Sequence, residues 1–132
     1  MWIEPKTNWT NEDYFNLNPD YARIKGNIEY IQEFAETMNK VFHIDPMNTY
    51  TIEEIPLVDF FNTIVSNVRK VEEGTYVVSS MLPMRDYTQN GVIFDANDLN
   101  AIEKNLLIVY NLLMGEWSSL NKLEFMLGVD EI

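Results

Sequence analysis

The sequence predicts a mainly α-helical fold, a small bundle of three to four helices. Three observations carry that expectation. Apolar residues recur at alternating gaps of three and four along Tyr21 to Phe42, Leu57 to Val71 and Leu99 to Leu113, the spacing that places them on one stripe of a helix. Each stretch is bounded by residues that start or stop helices. At 46% hydrophobic over 132 residues, the chain holds enough apolar material for one core without disulfides. A single domain, 1–132, follows, with residues 1–17 as an aromatic-rich N-terminal arm.

In the arm, Thr10-Asn11-Glu12-Asp13 reads as a short helical turn whose Asp13 reaches back to the cap. Asn18-Pro19-Asp20 then opens the first long helix: Asn18 caps, Pro19 suits the first helical position, and Asp20 lies at the positive end of the dipole. Tyr21, Ile24, Ile28, Ile31, Ala35, Met38 and Phe42 form its inward stripe, and His43, Asp45 and Pro46 mark its end.

A second helix begins near Pro56 and carries Leu57, Phe60, Phe61, Ile64, Val68 and Val71 inward before Gly74 stops it. Tyr76-Val77-Val78 and Val92-Ile93-Phe94 flank a segment with Pro83 and Asn90-Gly91, the composition of a short two-stranded β ribbon between the second and third long helices. Within that segment, Met81 to Tyr87 reads as an exposed loop. Asp95-Ala96-Asn97-Asp98 starts the third helix on Leu99, Ile102, Leu106, Val109 and Leu113. Gly115 is expected to end it, with Trp117, Leu120, Leu123, Met126 and Leu127 on a shorter fourth helix closed by Gly128.

Nine basic against twenty-one acidic residues give a net charge of −12, which repels phosphates and anionic lipid surfaces. Nucleic acid and membrane are therefore not expected partners. The N-terminus carries no basic and apolar leader pattern, and no apolar run approaches the roughly 18 residues that span a bilayer. A cytoplasmic origin is the expectation.

Without cysteine, thiolate nucleophiles and sulfur-ligated metals are ruled out. A nucleophilic site would rest on His43 alone, and the end of a helix explains that residue better. Glu53-Glu54, Glu72-Glu73 and Asp95 to Asp98 supply oxygens but no EF-hand spacing, and the glycines are too dispersed for a phosphate loop. The chain is read as a non-enzyme with no cofactor and no metal.

The five aromatics Trp2, Trp9, Tyr14, Phe15 and Tyr21 crowd the first 21 residues. They pack either on this chain's own core or on another chain, which makes Trp2, Trp9, Tyr14 and Phe15 candidate interface residues; Trp117 is a further one near the other end. Sliding the chain by 78 positions lays Asp20, Ile24 and Asn27 over Asp98, Ile102 and Asn105. Asn27 and Asn105 exceed what two amphipathic helices must share, and are candidate structural polar residues that either bond to a neighbouring helix or loop or face solvent.

Trp9-Thr10, Asp13-Tyr14-Phe15-Asn16, Asp20-Tyr21, Arg23-Ile24 and Asn27-Ile28-Glu29-Tyr30-Ile31 together resemble small tail- or baseplate-associated structural proteins of phages and prophages of Gram-positive bacteria. Asp98-Leu99-Asn100-Ala101-Ile102-Glu103-Lys104-Asn105 resembles the second helix start of that pattern. Ala22 and Ala101 depart from it, standing where asparagine and arginine are usual. The resemblance covers about two fifths of the chain and implies a virion or assembly component, virion-associated after assembly, that contacts other virion proteins or further copies of itself. The competing expectation, from charge and size, is an acidic inhibitor that mimics nucleic acid on a basic partner.

Overall fold

The computed structural model describes residues 1–49, 57–86 and 94–127. Three helices, α1 (Ala22–Thr37), α2 (Leu57–Gly74) and α3 (Ala96–Leu127), pack pairwise around one core, and no strand occurs among the described residues. Tyr76 to Val78 is irregular; its expected ribbon partner, Val92 and Ile93, lies outside the described residues.

All three helices run in the same direction. Near their starts Tyr21 meets Phe60, Phe61 stacks on Phe94 and Arg23 reaches Glu103; farther along, Tyr30 lies beside Tyr110 and Phe34 beside Trp117. Parallel helices need return segments, and these are the stretches without regular structure. Residues 1–16, 39–49 and 75–86, here straps 1, 2 and 3, run back along the bundle, each in the groove between the helix that follows it and a neighbouring helix.

The straps share one device. Asn27 of α1 accepts from the Ile3 N–H (2.9 Å) and donates to its carbonyl (2.7 Å). Asn67 of α2 does the same to Asp45 (2.7 and 2.9 Å), and Asn105 of α3 to Leu82 (2.8 and 2.8 Å). A primary amide presents one acceptor and one donor side by side, so it substitutes for a neighbouring strand to an extended residue that would otherwise leave both peptide groups unpaired against the helices.

Around each clamp the burial pattern repeats. Trp2, Ile44 and Met81, one residue earlier, turn inward; Ile3, Asp45 and Leu82 turn outward; Pro5, Met47 and Met84, two residues later, turn inward again. On the helices the same frame reads Ile24-x-x-Asn27-Ile28-x-x-Ile31, Ile64-x-x-Asn67-Val68-x-x-Val71 and Ile102-x-x-Asn105-Leu106-x-x-Val109, and every named residue is buried. The described residues thus form three repeated strap–helix units, with these apolar residues meeting in one core.

Several element ends differ from expectation. A five-residue π-helical turn, Leu17–Tyr21, precedes α1; the Asn18–Pro19 peptide is cis, Asn18 is non-helical, and no side chain caps the turn. Instead Asp20 accepts from the Asn16 N–H at 2.9 Å. Helix α1 stops at Thr37, short of Phe42, because Asn39 takes a left-handed backbone (φ 62°) and the N–H groups of Asn39 and Lys40 return to the carbonyls of Glu36 and Ala35, a Schellman closure. Thr10 to Asp13, by contrast, forms the expected short turn, with Asp13 reaching back to accept from the Thr10 N–H.

The expected fourth helix is part of α3, which runs unbroken through Gly115. A lone helical glycine costs only about 1 kcal/mol, and this one has neither a left-handed backbone nor a following residue that bonds back. At the other end of α3, Asp95 and Asp98 exchange N–H to carboxylate bonds, a reciprocal capping box.

Candidate functional site

Two features rise above the repeat, one internal and one projecting. The internal one joins strap 1 and α1 to α3, the contact between first and last units. Glu103, fully buried, receives Arg23 Nε at 2.6 Å and Arg23 Nη2 at 3.0 Å, the Trp9 indole N–H, and the Lys6 backbone N–H at 3.2 Å. Asp20 takes Arg23 Nη1 at 3.2 Å. Burial alone pulls the Arg23 guanidinium downward, but Glu103 and Asp20 outweigh it and its pKa is raised. Asn100 adds a fourth amide clamp, on the N–H and carbonyl of Trp9 (2.8 and 3.0 Å). Every charge in this cluster is answered by a group of the same chain, which is the chemistry of a structural lock.

The expected interface residues separate by place. Trp9 is buried, 5% exposed; Trp2 stacks on Tyr110 with ring centroids 4.0 Å apart; Phe15 leans on Trp9, Phe60 and Phe61. All three pack on the chain's own core. Tyr14 is 86% exposed, at the rim of an open groove of about 390 Å³ lined by Phe15, Phe61, Phe94 and Asp95 among others. Trp117 touches Phe34 by one edge and stays 41% exposed. Asn27 and Asn105 are the two outer clamps of the repeat.

His43 is six residues past the end of α1, exposed in strap 2, so it caps no helix; the expectation failed because Asn39 closes α1 first. Among the described residues no group of three or more His, Asp or Glu could hold a metal ion, and no helix is long and apolar enough to cross a membrane. Asp95 and Asp98 are occupied by capping and by Arg85; Glu53-Glu54 lies outside the described residues. Glu72 is half-buried with an unpartnered Oε2, and desolvation raises its pKa.

Sequence reasoning missed Asn67, Asn100, Arg23 and Glu103. A signal existed for Asn67: the motif Ile-x-x-Asn-apolar-x-x-apolar occurs in all three helices, but α2 lacks the leading Asp that drew attention to the other two.

The projecting feature is the end of α3. In the frame of the repeat, Ile24 and Ile64 correspond to Ile102, so the last residues of α1 and α2 fall level with the stretch from Leu112 to Gly115. Beyond that point α3 continues to Leu127, and Trp117 keeps an edge contact with Phe34 of α1. Glu116 still binds the Tyr76 hydroxyl and Lys40, whereas residues 117–124 and Met126 are exposed, with Leu120, Leu123 and Met126 (69%) among them.

Comparison with family models, with curated proteins and with solved structures returns no match for this chain.

Proposed function

We propose that this chain is a non-enzymatic structural or assembly protein that acts through protein–protein contacts, as a component of the tail or baseplate region of a phage or prophage virion. The observation that carries the contact role is the projecting end of α3: exposed Trp117, Leu120, Leu123 and Met126 on a helix that outruns its bundle. Apolar side chains gathered on one projection favour a protein surface as their partner. The buried Arg23, Glu103, Asn27, Asn67 and Asn105 are spent on the chain's own backbone and on one another, which favours a rigid adaptor over a reactive centre. The virion assignment rests on the sequence resemblance around Asp13 to Ile31 and Asp98 to Asn105.

The test is co-sedimentation with particles from an induced lysogen whose genome encodes the chain. Structural membership predicts that the chain stays with purified particles at high salt, since apolar contacts are not screened. Its absence from particles would overturn the virion assignment. Salt-sensitive capture of a basic protein, without particles, would instead support nucleic-acid mimicry.

A further inference from the structure

We infer that the projecting end of α3 and the underside of the bundle beside it form a self-complementary surface, whose occupant is the same projection of a second copy, lying antiparallel to it about a twofold axis. This rests on the contact role proposed above and names its partner.

The surface has two walls. One is the α3 projection. The other is the underside where straps 2 and 3 begin: Lys40 and Tyr76 meet there, with the Lys40 ammonium 5.3 Å from the Tyr76 ring and 3.5 Å from Glu116, and their neighbours Val41 and Val77 are 63% and 74% exposed. A helix and an apolar corner on one chain form the two halves of an isologous contact: the helix of each copy enters the corner of the other, and the assembly closes at two.

Continuity supports this occupant. Leu99, Ile102, Leu106, Val109 and Leu113 are buried at gaps of three and four, and Leu120 and Leu123 continue the same seven-residue register past the bundle. Inside the bundle α1 and α2 cover that stripe; outside it, Leu120 and Leu123 are 43% and 50% exposed among the described residues, and an added helix in the same register would cover them.

Charge admits a second copy at this segment and favours one direction for it. The chain carries −12, yet residues 117–127 hold one cation, Lys122, and one anion, Glu124. Two copies therefore approach through this segment with no net repulsion between the helices. Antiparallel overlap sends the two acidic bundles to opposite ends, and a parallel pair would set them side by side.

The full chain should sediment as a dimer, and Leu120→Glu with Leu123→Glu should sediment as a monomer with unchanged far-UV circular dichroism and a cooperative thermal transition whose midpoint, unlike that of the full chain, does not depend on concentration. Val41→Glu should weaken the dimer at least tenfold. Because the chain has no cysteine, single spin labels report direction: the pair of labels at Asn121→Cys should be close, and the pair at Asn111→Cys should be separated by roughly 30 Å along the helix axes. Equal separations at both sites would mean a parallel pair and overturn the inference, as would a monomeric full chain at several hundred micromolar. A monomer that still co-sediments with particles would sink this inference and spare the proposed function; a dimer absent from particles would do the reverse.

Discussion

At the scale of single residues, the clamps decide which parts of the chain lack freedom. Each of Asn27, Asn67 and Asn105 is buried and makes two bonds to one backbone residue, so truncation leaves a peptide N–H and carbonyl unpaired. Asn67→Ala should cost about 2–4 kcal/mol by urea titration, while exposed Asn121→Ala should stay within about 0.5 kcal/mol. Asn67→Asp is the sharper variant: a carboxylate accepts from the Asp45 N–H but repels its carbonyl, so part of the loss should return when the new group is protonated at low pH. Arg23→Met leaves Glu103 charged and buried, an uncompensated state that costs about 3–5 kcal/mol. Glu72 runs the other way. Its pKa is raised, chiefly by desolvation, so the folded state holds a proton more tightly than the unfolded chain and stability falls as pH rises from the ordinary carboxylate range through the raised value. Glu72→Gln should therefore stabilise at pH 7 and bring no gain at pH 4; equal gains at both would show that the carboxylate's charge is not the cause.

At the scale of elements, glycines separate what the sequence disclosed from what it hid. Gly74 ends α2 as expected, and an added Cβ there would lie 2.5–2.7 Å from the Phe42 ring and its Cβ. Gly115 and Gly26 face open space inside helices. Hence Gly115→Ala and Gly26→Ala should each raise stability by about 0.5–1 kcal/mol, and Gly74→Ala should lower it, as differential scanning calorimetry would show. The inward stripes from Tyr21 to Ala35, Phe60 to Val71 and Leu99 to Leu113 were readable because burial of one face imposes a period that no strand shares. The Asp95–Asp98 start was readable because capping is local. The straps were not: an extended segment paired to side-chain amides carries no alternation of its own, and the amide that recognises Asp45 lies 22 residues later. Phe42 shows the cost. It fits the period of α1, yet it packs against Gly74 from strap 2, since the closure at Asn39 acts before the apolar pattern runs out. The arm's self-packing was one of two readings the aromatics left open, but its partners were hidden, because Trp9 depends on Asn100 and Glu103, more than ninety residues away.

At the scale of the whole molecule, the order of units makes one contact unlike the others. Units 1 and 2, and units 2 and 3, are consecutive in the chain, whereas units 3 and 1 are joined by side chains alone. That contact holds the buried Arg23–Glu103 pair, the Trp9 indole bond, the Asn100 clamp and the Trp2–Tyr110 stack. The buried ion pair and the fourth clamp sit where chain connection is missing, whereas the other two contacts carry bonds such as Tyr21 to Asn48 and Arg69 to Asp86, and together they bind the three units into one body. Amide exchange gives this a measurable form. The N–H groups of Ile3, Asp45, Leu82 and Trp9 lie in irregular segments but donate to asparagine side chains, so they should exchange as slowly as helical amides while Glu4 and Thr7 exchange quickly. Trp9→Ala removes a buried indole, worth about 3–5 kcal/mol, and vacates one donor to Glu103. If the closing contact governs the fold, this variant should speed exchange at Asp45 and Leu82 as well as at Ile3, because opening between units 3 and 1 exposes the shared core of Ile24, Ile64 and Ile102. Faster exchange at Ile3 alone would mean that strap 1 detaches locally, and that the units hold together without their lock.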